Sequence, residues 1–208
     1  MSKKYAIVVD KKRCIGCSSC AVACKLENNI PDQIWYKKVR TIGGMQPLTP
    51  AGVYGDCTMT FEPWSCNHCD NAPCVEVCPT GATFKDEETG IVMQDIETCI
   101  GCGSCLTACP YEGVRTLLED EPMWRVDFPV GAVEAPAHIA GKVEKCNMCA
   151  HRIAKGDVPA CVEGCPARAM FFGDLNDPES KVSELLATRE YYVLQPEAGT
   201  NPNVYYLV

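Results

Sequence analysis

Between residues 99 and 110 the sequence reads Cys99-Ile-Gly-Cys102-Gly-Ser-Cys105-Leu-Thr-Ala-Cys109-Pro110. Three thiols, each two residues from the next, can curl a short loop around one polynuclear metal centre, every sulfur reaching a different metal atom. The fourth thiol lies one turn further on and points away from that centre. Pro110 disfavours a continuing helical turn and so restrains its direction. A run of this kind suits iron–sulfur cubes, which take three sulfurs from one run and a fourth from another.

The pattern recurs through the chain. Sixteen of the seventeen cysteines fall into four quartets: Cys14, Cys17, Cys20, Cys24; Cys66, Cys69, Cys74, Cys78; Cys99, Cys102, Cys105, Cys109; and Cys146, Cys149, Cys161, Cys165. The first and third share the spacing C-x2-C-x2-C-x3-C. The second is widened to four residues in its middle gap and the fourth to eleven. Pro79, Pro110 and Pro166 follow three of the quartets, whereas Lys25 follows the first; Cys57 stands outside them all.

Two other uses of so many cysteines compete with this one. Disulfides fit poorly, because the count is odd, pairs two residues apart recur in every quartet, and only the short apolar stretch Tyr5–Val9 precedes Cys14, so no secretory signal is expected there. Zinc takes four thiolates, usually as two C-x2-C pairs, which the fourth quartet alone resembles. Three thiols as close as those of the first and third quartets, plus a fourth, would crowd one zinc. Four saturated [4Fe–4S] clusters are therefore expected, with no open iron for catalysis.

Since each cube borrows its fourth ligand, the quartets must work in pairs. The second and third are separated by twenty residues that read as a β-hairpin, with strands at Thr83–Lys85 and Ile91–Gln94 and a turn through Glu87–Gly90. They form one unit, and by elimination the first and fourth pair across the chain. The spacing thus predicts Cys14, Cys17, Cys20 with Cys165 (cluster 1) and Cys24 with Cys146, Cys149, Cys161 (cluster 2). It predicts Cys66, Cys69, Cys74 with Cys109 (cluster 3) and Cys78 with Cys99, Cys102, Cys105 (cluster 4). The expected fold is α+β: tandem two-cluster ferredoxin-like modules, loop-rich, with short helices and β-hairpins. Residues 62–116 make the central module, 1–61 with 117–176 the second, and 177–208 a C-terminal helix and tail.

Elsewhere the signals are weaker. Ile34–Ile42 and Asp56–Glu62 read as strands around a Gly43–Gly55 loop, and Leu117–Lys145 as a polar, aperiodic insertion at the surface or against a partner. Asp177 is expected to cap a helix with Pro178 at its first position, running to about Thr188, and Val204–Val208 to add a strand. Cys57 reads as a small buried hydrophobe. His68 either donates to a cluster sulfur or is a polar residue at a loop tip. His138 and His151 default to the surface, and Trp35, Trp64 and Trp124 to packing or shielding. Lys25, Arg115 and Arg152 lie near ligands in sequence and would raise cluster potentials.

Composition sets outer limits. A formal charge of −8 and no basic run longer than Lys11–Arg13 argue against a nucleic-acid partner. Nothing approaches the roughly 18 apolar residues of a membrane span. Neither G-x-G-x-x-G nor G-x4-G-K-[ST] occurs, so nicotinamide, flavin and nucleoside triphosphate sites have no support.

In their order and spacing the quartets resemble those of the electron-transfer subunits of the dimethyl sulfoxide reductase family. Closest in look are the polysulfide, tetrathionate and arsenate respiratory reductase types. Supporting strings are Cys14-Ile-Gly-Cys17, Cys66-Asn-His-Cys69, Cys78-Pro-Thr-Gly81, Lys145-Cys-Asn-Met-Cys149-Ala-His-Arg152, Phe172-Gly-Asp-Leu-Asn-Asp-Pro178 and Pro196-Glu-Ala-Gly-Thr200. The resemblance implies a non-catalytic electron carrier beside a large molybdenum or tungsten bis-pterin catalytic subunit. It often implies an integral membrane, quinone-reactive subunit as well. It also implies the extracytoplasmic face, reached on the partner's twin-arginine signal, with the cytoplasm as the alternative. The equivalent subunit of a formate dehydrogenase or hydrogenase is the neighbouring reading, and a zinc-stabilised interaction module the reading from another class.

Overall fold

The computed structural model describes residues 2–45 and 48–208, so Gln46 and Pro47 of the expected Gly43–Gly55 loop lie outside the described residues. The first half runs β1 (Tyr5–Asp10), α1 (Ser19–Glu27), β2 (Lys37–Thr41), β3 (Ala51–Val53), β4 (Asp56–Thr58), β5 (Phe61–Ser65), α2 (Pro73–Glu76), β6 (Thr83–Lys85), β7 (Val92–Gln94) and α3 (Ser104–Ala108). The second half runs β8 (Arg115–Leu118), β9 (Lys142–Lys145), α4 (Ala150–Ile153), α5 (Ala160–Glu163), β10 (Met170–Asp174), α6 (Lys181–Thr188), β11 (Tyr191–Tyr192) and β12 (Val204–Leu207). Short helices and small, separate sheets make the class α+β, as expected.

One four-stranded sheet, in the order β10-β1-β12-β11, joins the two ends of the chain. β1 runs antiparallel to β10 and parallel to β12, with Ile7 opposite both Phe172 and Val204. Side chains alternate across a strand, and here the alternation divides two cores. Ile7 and Val9 face the main core, while Val8 packs with Val182, Leu185 and Leu207 under α6. The main core is unusual in its chemistry, for nine of its buried members are cysteines.

The remaining sheets are two-stranded. β6 and β7 form the expected hairpin, pairing Thr83 with Gln94. The strand expected over Asp56–Glu62 is divided: Asp56–Thr58 pairs with β3, while Phe61–Ser65 pairs with β2. Leu117–Lys145 is not aperiodic throughout, since its ends belong to β8 and β9, which pair Arg115 with Lys145 and Leu118 with Lys142. α6 begins later than the Asp177 reading places it. Ser180 is the cap, its hydroxyl accepting from the Ser183 N–H, and the Asp177 carboxylate instead accepts from the Glu179 N–H in a local turn.

Prolines explain the helix lengths. α1 carries Cys24 onward to Glu27 because Lys25 follows that cysteine, whereas the helices near Cys78, Cys109 and Cys165 stop before Pro79, Pro110 and Pro166. A single carboxylate ties three distant segments. Asp70 accepts from Lys4 Nζ at 2.6 Å, Lys85 Nζ at 2.9 Å and Asn203 Nδ2 at 3.0 Å, and these partners hold its pKa down to about 2 against the opposing effect of burial. Asp70→Asn is expected to lower stability by about 1–2 kcal/mol, the scale of partly exposed charge-assisted bonds. Calorimetry on the anaerobic holoprotein checks it, and an unchanged unfolding temperature counts against this role.

Candidate iron–sulfur centres

The third cysteine of every quartet is the second residue of a short helix: Cys20 in α1, Cys74 in α2, Cys105 in α3 and Cys161 in α5. Just before the second cysteine, each quartet turns through a left-handed residue, namely Gly16, His68, Gly101 and Met148, with φ of 70°, 45°, 69° and 55°. That turn aims backbone N–H groups at sulfur. Gly101 N–H donates to Cys99 Sγ at 3.4 Å and Met148 N–H to Cys146 Sγ at 3.3 Å. Past the fourth cysteines, Thr83 N–H reaches Cys78 Sγ and Ala169 N–H reaches Cys165 Sγ, both at 3.3 Å.

The fold gathers these sulfurs into four sets. Cys14, Cys17, Cys20 and Cys165 line one cavity (site 1). Cys78, Cys99, Cys102 and Cys105 line another (site 4). Cys24 lies in the field of Cys146, Cys161 and Cys149 (site 2), and Asn28 Nδ2 stands 3.8 Å from Cys24 Sγ and 3.7 Å from Cys149 Sγ. Cys109 lies in the field of Cys66 and Cys74, as does Cys69 (site 3). All seventeen thiols are free of disulfides. Among the described residues, no three His, Cys, Asp or Glu groups converge as a single metal ion would require. At sites 1 and 4, four sulfurs lining a cavity suit the corners of a cluster better than the roughly 2.3 Å ligation of one zinc.

Burial divides the sets. Cys17 and Cys102, in sites 1 and 4, are exposed, and the hydroxyls of Ser19 and Ser104, each 3.4 Å away, lower their pKa values. The inner thiols are pushed the other way by loss of water. Cys69, Cys146, Cys149 and Cys161 rise to about 11, Cys109 to about 12, and Cys24 well above its ordinary value. Ionising them requires nearby positive charge.

Some of that charge comes from the chain itself. Lys37, Arg115 and Lys145 are all buried. Arg115 Nη2 donates to Cys74 Sγ at 3.0 Å, while its Nε has no partner among the described residues. Among the described residues, Lys145 Nζ donates to the backbone carbonyls of Val92 and Cys146 alone. Arg115 and Lys145 are directly opposite on β8 and β9, an arrangement that destabilises like charges unless an anion compensates. No carboxylate does so: among the described residues, none of the three cations forms an ion pair with Asp or Glu. Anionic clusters held by thiolates would supply the compensating charge.

Several weaker expectations are overturned. Cys57 is exposed on β4, its Sγ donating to the Val53 carbonyl at 3.0 Å. The His138 side chain is 1% exposed, bonded to Glu144 Oε2 at 2.7 Å and, through Nε2–H, to the Asn28 carbonyl at 2.9 Å. His151 packs against Glu27, with Nε2 at 2.9 Å from Oε1. His68 is buried at 1%, not held at an exposed tip, and neither ring nitrogen has a well-formed partner among the described residues. Of the three cations near ligands in sequence, only Arg115 reaches a sulfur. Lys25 lies over Trp35 and donates to the carbonyls of Pro31, Asp32 and Ile34, and Arg152 pairs with Glu27 and Glu163. Lys37 and the role of Lys145 escape sequence reasoning. The one local hint is that Lys37 shares the buried face of β2 with Val39 and Thr41.

Comparison with known proteins agrees with this chemistry. A 4Fe-4S dicluster domain family matches residues 57–129 and 127–175, and a second 4Fe-4S dicluster family matches residues 13–82. The sequence is 45% identical to a putative dimethyl sulfoxide reductase iron–sulfur subunit of Halobacterium salinarum, over 98% of this chain and 78% of that protein. It is 39% identical to the arsenate respiratory reductase iron–sulfur subunit of a Shewanella species, over 98% and 96%. Against a polysulfide reductase chain of Wolinella succinogenes the identity is 37%, over 99% and 94%.

Two glycines test how tightly the site 4 loop is drawn. A Cβ on Gly101 would lie 1.9 Å from the Gly141 carbonyl oxygen, whereas one on Gly103 meets nothing within 4 Å, although both residues have positive φ. Gly103→Ala should cost only the left-handed strain of about 1–2 kcal/mol. Gly101→Ala must also displace backbone, and is expected to exceed ~3 kcal/mol and release iron. Thermal unfolding and iron content measure both, and equal effects would show that the β8–β9 connection does not press on this loop.

Proposed function

From the premise that the protein belongs to the 4Fe-4S dicluster family of reductase iron–sulfur subunits, we propose that it carries four [4Fe–4S] clusters in a single row and relays electrons for a molybdenum or tungsten bis-pterin catalytic subunit. A [4Fe–4S] cluster supplies one-electron storage; the protein's part is to hold, space and insulate such stores. In this proposal the ligands are Cys14, Cys17, Cys20 and Cys165 at site 1, and Cys24, Cys146, Cys149 and Cys161 at site 2. Cys66, Cys69, Cys74 and Cys109 serve site 3, and Cys78, Cys99, Cys102 and Cys105 serve site 4. Sites 3 and 4 belong to the 62–116 module. Sites 1 and 2 belong to the module built from 1–61 and 117–176, with 177–208 as the closing helix and tail.

The observation that carries the reading is the gathering of Cys14, Cys17, Cys20 and Cys165 around one cavity and of Cys78, Cys99, Cys102 and Cys105 around another, and the fields between sulfurs support a linear order of the four sets. Cys20 of site 1 acts on Cys161 of site 2, Cys66 of site 3 acts on Cys146 of site 2, and Arg115 feels both Cys74 of site 3 and Cys105 of site 4. The fully exposed cysteines of the sets, Cys17 and Cys102, both belong to terminal sets, whereas the inner sets hold buried cysteines and the half-buried Cys109. A row most open at its two ends suits passage between two partners. The catalytic subunit is proposed at one end. A membrane subunit reacting with quinone is proposed at the other, on the resemblance to respiratory reductases; no helix of the described residues is itself long and apolar enough to cross a membrane. On the resemblance to respiratory reductases, the complex is proposed to sit on the extracytoplasmic face, carried there on the partner's signal.

Two measurements test this. Anaerobically purified complex should contain about sixteen irons and as many sulfides per copy of this protein, together with a co-purifying bis-pterin subunit. Zinc-loaded, colourless material would sink the reading. Cys24→Ser should alter the paramagnetic signal of the cluster held by Cys146, Cys149 and Cys161. Loss of only the Cys14–Cys20 signal would instead refute the crossed ligation.

A further inference from the structure

The three buried cations are not scattered through the core. Each stands where two neighbouring sulfur sets meet. Lys37 is buried on β2, which packs against α1, the helix carrying Cys20 of site 1 and Cys24 of site 2, and its charge is felt by Cys161 and Cys146 of site 2 as well; among the described residues its side-chain partner is Ser65 Oγ at 3.3 Å. Lys145, on β9, donates to the Cys146 carbonyl of site 2 and stands opposite Arg115, which bonds Cys74 of site 3, and the sulfurs of Cys66, Cys146 and Cys74 all act on its charge. Arg115, on β8, bonds Cys74 of site 3 and lies in the field of Cys105 of site 4. A row of four has three junctions, and each holds one cation.

We propose that Lys37, Lys145 and Arg115 are junction cations, each fixing together the reduction potentials of the two clusters it separates. The proposal rests on the four-cluster reading above and goes beyond it by giving residues outside the ligand set a part in electron passage. Burying an ammonium or guanidinium without a carboxylate is expensive, and an apolar side chain of similar volume would pack at lower cost. The charges are therefore unexplained by folding alone. An electron arriving at a cluster adds one negative charge, and in a water-poor interior a fixed cation stabilises that state strongly. A cation beside one cluster only would deepen a well there and trap the electron. Shared between neighbours, it lowers both sides of a step and leaves the step itself shallow. Glu144, the nearest strand neighbour of Lys145, points to the opposite face of β9, where it bonds Tyr36 and His138, so it does not cancel the charge.

The test is a low-temperature paramagnetic redox titration of the complete complex, with each signal assigned through the ligand variants. Lys37→Met should weaken reduction of clusters 1 and 2 by at least tenfold each, 59 mV for a one-electron couple, with clusters 3 and 4 moved less than threefold. Lys145→Met should do the same to clusters 2 and 3, and Arg115→Gln to clusters 3 and 4. The charge-keeping variants Lys37→Arg, Lys145→Arg and Arg115→Lys should stay within threefold of the parent. A shift confined to one cluster, an equal shift of all four, or no shift overturns the proposal. If the neutral variants fail to assemble clusters while the charge-keeping ones succeed, the charge is still the requirement at that junction. If both kinds fail, packing is the requirement and the proposal falls. A parent complex with fewer than four clusters would instead sink the underlying reading, so the two failures are distinguishable.

Discussion

A sulfur that leaves water as a thiolate needs positive charge within reach, and in this protein the need is greatest where burial is deepest. Cys24, Cys146, Cys149 and Cys161 sit in the interior with their thiols driven toward the neutral form. Much of the architecture answers that demand. The C-x-x-C loops turn through left-handed residues so that N–H dipoles face sulfur. Strands β2, β8 and β9 carry cations into the core at positions where a hydrophobic side chain would ordinarily stand. The apolar core is modest and rich in cysteine, so holding the sulfurs in place and holding the fold together are largely one problem.

How much of this is legible in the sequence depends on the range of the interaction. The quartets are local, and so is the hairpin from Thr83 to Gln94, which turn residues and strand propensity read correctly. The four-stranded sheet is not local. β1, β10 and β12 come from opposite ends of the chain, and nothing in Tyr5–Asp10 alone announces that it runs beside Val204–Leu207. Helix α6 shows a subtler failure. Asp177 and Ser180 are both competent caps, and the choice is made by Ser180 Oγ, which also donates to the Asp174 carbonyl at the end of β10, a contact that only the folded protein supplies.

Charged residues mislead for the same reason. Lys37 and Lys38 are neighbours of one type, yet one is buried and the other exposed, because strand alternation puts only Lys37 on the inner face. His138 has no motif around it, since its partners are Glu144 and the carbonyl of the distant Asn28. That contact helps to pin the 119–141 connection onto α1 and the segment after it. Trp124 Nε1–H donates to the Asn29 carbonyl at 2.8 Å, and Gly131 packs so closely that a Cβ there would lie 2.0 Å from the Leu26 carbonyl oxygen. A stretch that reads as surface insertion is thus a cover over the end of the helix bearing Cys20 and Cys24.

The same distribution of charge separates the ends of the proposed row from its middle. At the ends of the row, Cys17 and Cys102 meet water and serine hydroxyls, both of which favour ionised sulfur. Inside, the buried cations Lys37, Arg115 and Lys145 take over that role, while backbone N–H groups reach sulfur at inner and outer sets alike. Neither arrangement would serve in the other's place. A lone buried cation at an exposed end would be screened by solvent, and an inner sulfur set left to solvent would lose the low dielectric that makes a single lysine effective. In the proposed row, exposure at the two ends and fixed charge at the three junctions are therefore complementary parts of one electrostatic arrangement, built from residues that lie far apart in sequence and are brought together by the pairing of β2 with β5 and of β8 with β9.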